Sequence, residues 1–274
     1  MSVEQRVQVV RTLVEGNSIR ATVRMTGVAK NTIVKLLADL GTACADYHDR
    51  HVRNVQSARV QCDEIWSFCY CKAANIPQRL NGQYGVGDVW TWTAIDADSK
   101  LCVTWLVGSR EIETGRAFIE DLASRLANRI QLTTDGHQVY PKTILRSFGN
   151  DVDYSMLVKT YASERAARGE SPKYSPAVCT GCKKTVMSGD PDPDHISTSF
   201  VERQNLTMRM SMRRFTRLTN AFSKKLANLM HAVALHFMHY NFCRVHQTLR
   251  VTPAMAAGLS DHVWDIEELV GLLD

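Results

Sequence analysis

At 274 residues, 45% of them apolar, the chain can bury a substantial core, either as one large domain or as a medium domain with a small companion. Its apolar runs are short and broken by His, Asn or charge, and the start MSVEQRVQVV lacks a signal-peptide core, which argues against a membrane or secreted protein and makes the cytoplasm the expected location. Eight cysteines scattered from 44 to 243 read as reduced thiols rather than a disulfide framework, and a net charge of +5 says less about partners than its distribution does.

Residues 1–42 have the spacing of three short helices. Val7, Val10 and Leu13 form one stripe that Gly16 and Asn17 stop; Ser18 caps a second helix that Gly27 ends; a third turns Ile33, Leu36, Leu37 and Leu40 inward. Lys30, Asn31, Thr32 and Lys35 then face outward at the front of the third helix, which is helix-turn-helix logic for reading a DNA major groove, although plain three-helix packing has the same spacing. Residues 43–57 have mixed charge and weak periodicity and read as a linker.

From residue 58 the pattern becomes that of strands. ARVQCDEIWSFCYCK, DVWTWTAID and LCVTWLVG predict three strands with a turn at ADSK, followed by an amphipathic helix carrying Phe118, Leu122 and Leu126. IQLTTDG and VDYSMLVKTYA predict further strands, so the fold class is α/β with a mixed sheet flanked by helices. Residues 163–198 hold four of the seven prolines together with DPDPD and read as an irregular insertion. The Cys179-x-x-Cys182 pair within it, with only His195 nearby as a third ligand, reads as incidental rather than as a zinc site. Two helices and the polar CRVHQTLRVTPAMAAGL follow, and residues 261–274 form a C-terminal tail.

Charge is concentrated late in the chain. Between Arg203 and Ser260 there are nine Lys or Arg and no Asp or Glu, which leaves the remainder of the chain net negative. Such a segment is the footprint of a polyanion partner, because each neutralised phosphate releases condensed counterions. It nevertheless opens on a carboxylate, Glu202. Phosphodiester chemistry accounts for that: two Mg²⁺ ions roughly 3.5–4 Å apart can activate the attacking oxygen and stabilise the leaving one, and they need a few carboxylates converging from separate elements. Asp63 within a strand, Asp135 at a strand end and Glu202 at the front of the basic helix are the three acids placed to converge. Glu64 adjoins Asp63, but alternation along a strand points the two to opposite faces, so only one is expected in the site. Asp96 and Asp98 read as turn residues, and Asp190, Asp192 and Asp194 as solvated. His137 and His246 are left open between phosphate contact and a local structural role. Met208, Met210, Met212 and Phe215 read as core.

The blocks CDEIWSF, TTDGHQVY and ISTSFVERQNLTMRMSMRRFTRLTNAFSKK resemble the three acidic blocks of bacterial insertion-sequence transposases, especially the insertion-sequence-one type with its DE-x-W, DG-x-x-x-Y and ER-x-N-x-x-x-R signatures. The resemblance spans residues 58–260 and implies a ribonuclease-H-like catalytic domain with an Asp-Asp-Glu triad. Asp63, Asp135 and Glu202 would then hold two Mg²⁺ or Mn²⁺ ions. It further implies a polynucleotidyl transferase that binds the terminal inverted repeats of its element in double-stranded DNA, nicks there, and joins the 3′-hydroxyl to target DNA as a homodimer or higher oligomer at the bacterial nucleoid. On the basic helix, Glu202, Asn205, Arg209 and Arg213 share one face by spacing, and Arg203, Arg214 and Arg217 suit flanking phosphates. The family often carries an N-terminal zinc-binding segment, and no Cys pair precedes residue 40 here. A domesticated site-specific DNA-binding protein without catalysis, or a nuclease of the same fold that cuts without joining, are the rival readings.

Overall fold

The computed structural model describes residues 1–162, 178–216 and 220–274. Its first helix, α1 (Val3–Val14), starts in a capping box in which Ser2 Oγ accepts the Gln5 N–H and the Gln5 side chain accepts the Ser2 N–H. Ser18 caps α2 (Ile19–Thr26), and Gly27 closes it in the left-handed region at φ 70°. The third helix, α3 (Lys30–His51), does not stop where the pattern placed a linker. It runs on for another three turns through residues 41–51, and only the remainder of 43–57 is irregular. Cys44 and His48 continue its buried stripe, so the inward face extends although the polar residues around it carry no clear period.

A six-stranded sheet of order β3-β2-β1-β4-β5-β6 forms the centre of the described residues. Strands β1 (Arg59–Cys69), β2 (Gly87–Asp96) and β3 (Cys102–Gly108) make an antiparallel meander. Helix α4 (Ile112–Arg125) then crosses to β4 (Ile130–Thr134), which lies parallel to β1, and α5 (Val139–Phe148) crosses to β5 (Val152–Ala162), parallel to β4. This is the ribonuclease-H-like arrangement. It gains a sixth strand, β6 (Val178–Ser188), antiparallel to β5 and inside the segment expected to be irregular. The residues of β6 are mostly exposed, so no buried alternation betrays it in the sequence. Residues 163–177 of that segment lie outside the described residues.

After the sheet come α6 (Ser199–Ser211), α7 (Leu226–Met238), a π-helical turn over His239–Cys243, and two short helices, α8 (Pro253–Ala256) and α9 (Ile266–Gly271). The basic helix is thus shorter than its charge pattern: it ends at Ser211, and Arg213–Phe215 form a separate 3₁₀ turn. Phe215 and Met212 turn into the core there, together with Met208, whereas Met210 is exposed.

The two faces of the sheet have different partners. Val60 and Cys62 of β1 and Trp92 and Ala94 of β2 join a cluster with α4, α5 and the N-terminal helices. Ile65, Cys69 and Val89 join a second cluster with α6 and α7. The N-terminal helices therefore share a core with the sheet. Two features fasten α3. The nearly buried Arg125 guanidinium donates to the carbonyls of His48 (3.4 Å) and Val52 (3.1 Å) and pairs with Asp49 (2.8 Å) and Asp121 (2.7 Å), closing the helix C-terminus. Gly41 lets α3 cross α7 closely: a β-carbon there would sit 2.5 Å from His231 Cβ and 2.7 Å from its carbonyl oxygen. The C-terminal tail docks back on α1, with Leu269 and Val270 buried and Arg11 paired to Glu267 at 3.0 Å.

In an open helix interior, Gly-to-Ala stabilises by about 1 kcal/mol. The contact with the α7 backbone reverses the sign at position 41. Gly41→Ala is expected to cost about 1–3 kcal/mol through overpacking, read as a lowered midpoint in thermal denaturation; a raised midpoint would show that the helices do not cross there.

Candidate active site

The site forms where β4 stops. Thr134, the last residue of β4, pairs with Cys62, and past that point β1 has no ladder to β4. Asp63 and Glu64 stand at this notch, and Asp135 follows directly from the end of β4, at the carboxyl ends of parallel strands. Carboxylate oxygens of Asp63, Glu64 and Asp135 lie within 4.8 Å of one another. Strand alternation does separate the two neighbours: Asp63 faces α6, and Glu64 faces the α5 side. It does not keep them apart, because the missing strand leaves both faces open to the same notch. Asp135 is held by its own turn, its Oδ1 accepting the His137 N–H at 2.9 Å.

Helix α6 brings the third acid. Its first N–H groups are capped across the fold by Gln61 of β1, whose Oε1 accepts from Phe200 (2.8 Å) and Val201 (3.2 Å). Gln61 shares a strand face with Asp63, so the cap fixes the helix start beside that carboxylate. Asn205, buried one turn beyond Glu202, donates from Nδ2 to Asp63 Oδ2 at 2.8 Å, and its own Oδ1 is buried without a partner. Glu202 accepts from Thr198 Oγ1 at 2.7 Å and forms an ion pair with Lys159 of β5. It lies near enough to raise the pKa of Asp63 but is outside the close trio.

These acids crowd one another. Burial, and then the charge of Asp135, pushes the Asp63 carboxyl up to about 7, and the same two causes push Glu64 up to about 7. Arg110, in the loop after β3, opposes the effect on both: its guanidinium lies 3.2 Å from Glu64 Oε2 and 4.0 Å from Asp135 Oδ2. The Lys159 ammonium is pulled down by burial, but its bond to Glu202 prevails and its pKa is raised. A hard divalent cation suits the donor set, which is carboxylate oxygen throughout, partly open to solvent, and includes a buried Glu64 oxygen with no partner.

The other expected site residues fall as follows. Lys30, Asn31, Thr32 and Lys35 are exposed at the start of α3, and Lys35 pairs with Asp39 at 2.5 Å. Arg203 is exposed on α6 and Arg209 is half-buried; Asn205 bonds a carboxylate of the site. Arg213 lies past the end of α6, so the shared face stops at Arg209. Arg214 folds inward, donating to Ser223 Oγ at 2.6 Å, and is not a flanking surface charge. Arg217 lies outside the described residues.

His137 caps α5, its Nδ1 accepting the Val139 N–H at 3.2 Å, and His246 bonds Thr248 at 3.0 Å. Asp96 takes the turn role, accepting from Ser57 Oγ (2.7 Å) and the Ser99 N–H (2.9 Å). The Cys179 and Cys182 sulfurs are 3.9 Å apart on β6, and among the described residues the trio of Asp63, Glu64 and Asp135 is the one group of three potential ligands. Strand alternation set Glu64 aside, and sequence reasoning missed Arg110, Lys159 and Gln61. Of these only Gln61 carried a signal, as a polar residue two positions before Asp63 on the same strand face. No described helix is long and apolar enough to cross a membrane.

No protein-family model matches the chain, and no curated protein does. Among solved structures it is similar to the piggyBac transposase synaptic complex with hairpin DNA, at 11% identity and a TM-score of 0.41, covering 98% of this chain and 70% of that one. It is also similar to the Mos1 strand transfer complex, at 9% identity and a TM-score of 0.22, covering 87% of this chain and 75% of that one. At these values no residue role transfers from either structure.

Asp63 and Glu64 keep protons in the folded state that the unfolded chain has already lost. Their contribution to stability is therefore complete below the ordinary carboxylate range near pH 4 and is lost as pH rises to about 7. Metal-free protein should lose thermal stability across this window, and the Asp63→Asn, Glu64→Gln double variant should show a flatter calorimetric profile. Identical profiles for the two proteins would mean that these carboxyls titrate normally.

Proposed function

We propose that the chain is a divalent-metal-dependent DNA transposase of the Asp-Asp-Glu class. Asp63 and Asp135 at one notch of a ribonuclease-H-like sheet, with Glu202 one helical turn from the Asn205 that bonds Asp63, carry the reading. All three are the acids singled out by the transposase-like sequence blocks. Two Mg²⁺ or Mn²⁺ ions held by these carboxylates would activate the attacking oxygen and stabilise the leaving one.

The chain's own groups set the geometry. Gln61 fixes the start of α6, Asn205 orients Asp63, Thr198 orients Glu202, and Arg203 and Arg209 lie along the same helix to meet the backbone phosphates. In the first reaction water adds to phosphorus at the element end, the P–O3′ bond breaks, and the 3′-oxygen leaves with a proton. In the second that 3′-hydroxyl attacks a target phosphodiester, forming one P–O3′ bond as another breaks. The exposed front of α3, from Lys30 to Lys35, would read the terminal repeat in the major groove, with two or more copies pairing the element ends.

The test uses labelled DNA from the two flanks of the coding sequence, a supercoiled plasmid and Mg²⁺. Nicked ends with free 3′-hydroxyls and plasmid-joined products are expected. Asp63→Asn, Asp135→Asn and Glu202→Gln should each reduce both by about 10³-fold or more, the loss of several kcal/mol of charge stabilisation, while gel-shift binding persists. Cleavage without joining would make the chain a nuclease of the same fold. Binding without either product would make it a site-specific DNA-binding protein.

A further inference from the structure

Glu64 is placed unlike an ordinary strand acid. Its side chain is only 1% exposed, yet it sits beside two further carboxylates, with Arg110 as a cationic partner on one side. Arg110 engages one of its oxygens, Oε2, through both Nε (3.3 Å) and Nη2 (3.2 Å). The other, Oε1, is buried with no hydrogen-bond partner. The fully buried Tyr140 hydroxyl also lacks a partner of good geometry, and its weak hydrogen bonding to the Glu64 carboxylate lowers that carboxyl's pKa without offsetting burial. Leaving a buried polar atom unpaired is costly, and more so when it is charged. A fold that needed only volume here would be better served by an apolar side chain. The partnerless oxygen, the adjacent acids and the break in the β1–β4 ladder all converge on the same notch.

We infer that Glu64 is a fourth carboxylate of the metal site, reaching a divalent cation shared with Asp63 and Asp135 from the opposite face of β1. The inference rests on the proposed metal-dependent reading and adds a ligand to it. Asp63 and Asp135 approach from the α6 side and from the strand end; Glu64, the ladder partner of Trp92, closes the shell from the opposite face of β1. Arg110 holds Oε2 and fixes the side chain beside Asp135 at the notch, where the Glu64 carboxylate is within reach of an ion shared with the other two acids. Glu202, tied to Lys159 and Thr198, is not needed for this first position.

The experiment measures Mn²⁺ binding to the purified full-length protein without DNA, by calorimetry and by loss of the free-ion electron paramagnetic resonance signal, with thermal midpoints recorded with and without Mn²⁺. Wild type should bind, Asp135→Asn should not, and Glu64→Gln should bind about 10-fold more weakly or worse. Because Gln is isosteric and removes a crowded charge, the metal-free midpoint of Glu64→Gln should be unchanged or raised, while its Mn²⁺-induced rise shrinks. Glu64→Asp, which keeps the charge but withdraws it by one methylene, should also bind more weakly.

Wild-type affinity in both Glu64 variants, with binding lost in Asp135→Asn, would overturn the inference and leave the metal-dependent reading standing. Unchanged affinity in Asp135→Asn as well would remove both. A lowered metal-free midpoint with unchanged affinity would make Glu64 a structural residue only and overturn the inference.

Discussion

β4 ends at Thr134 while its neighbour β1 continues to Cys69, and the cluster of carboxylates is arranged around that mismatch. In a continuous sheet, consecutive side chains of a central strand are screened from each other by the backbone ladder on both edges. Where the ladder to β4 stops, the screen on that side is gone. Asp63 and Glu64, which alternation assigns to different faces, then share a space with Asp135 from the strand that stopped. Gathering three carboxylates at such a place is unfavourable without a counter-charge, and the raised pKa values of Asp63 and Glu64 express that cost. Arg110 offsets part of it from the solvent side. A site that carries this much like-charge repulsion in its metal-free form is one that a cation stabilises on binding.

Asp63 and Asp135 were legible in the sequence because each lies in a short motif whose acid has a fixed place relative to a strand, and the strands themselves followed from alternation. Glu64 was set aside by the same alternation, which is a rule about a strand with neighbours on both sides and does not hold where one is missing. The length of α3 was hidden by the mixed charge and weak periodicity after residue 42; what holds that stretch helical, the approach of α7 at Gly41 and the Arg125 contacts, is tertiary. Strand β6 was hidden because an exposed edge strand needs no apolar stripe. The early end of α6 was hidden by its charges, which continue past Ser211 although Met212 and Phe215 turn into the core. Gln61 illustrates the general difficulty: it caps a helix 139 residues away, and nothing local to either segment specifies that bond.

The N-terminal helices are joined to the sheet by packing, not by a flexible tether. α3 spans 22 residues, about 33 Å at the usual helical rise, with its exposed polar front at one end and Arg125 bound to its last carbonyls at the other. Gly41 near its middle sets it against α7, which also packs under the sheet. In the proposed reading this means that DNA held by Lys30 to Lys35 is held at a set distance and angle from the notch. A separate domain on a linker would have left that distance to chance, and the scissile phosphate would then have to be found by diffusion of one part relative to the other.

Glu202 stands apart from the other acids in how it is held. Asp63 and Glu64 are placed by the middle of β1 and Asp135 by a tight turn at the end of β4, and the three are close together before any ligand arrives. Glu202 is placed by a helix whose start depends on the cap from Gln61, and its carboxylate is committed to Lys159 and Thr198. For it to join a shared ion pair, its bond to Lys159 must be exchanged for a bond to the ion. On the proposed reading the ammonium would then be a free positive charge on β5 beside the notch, available to a backbone phosphate. On that reading one exchange would complete the carboxylate set and present a cation to DNA, and metal and substrate charge would favour the same rearrangement of Lys159 and Glu202.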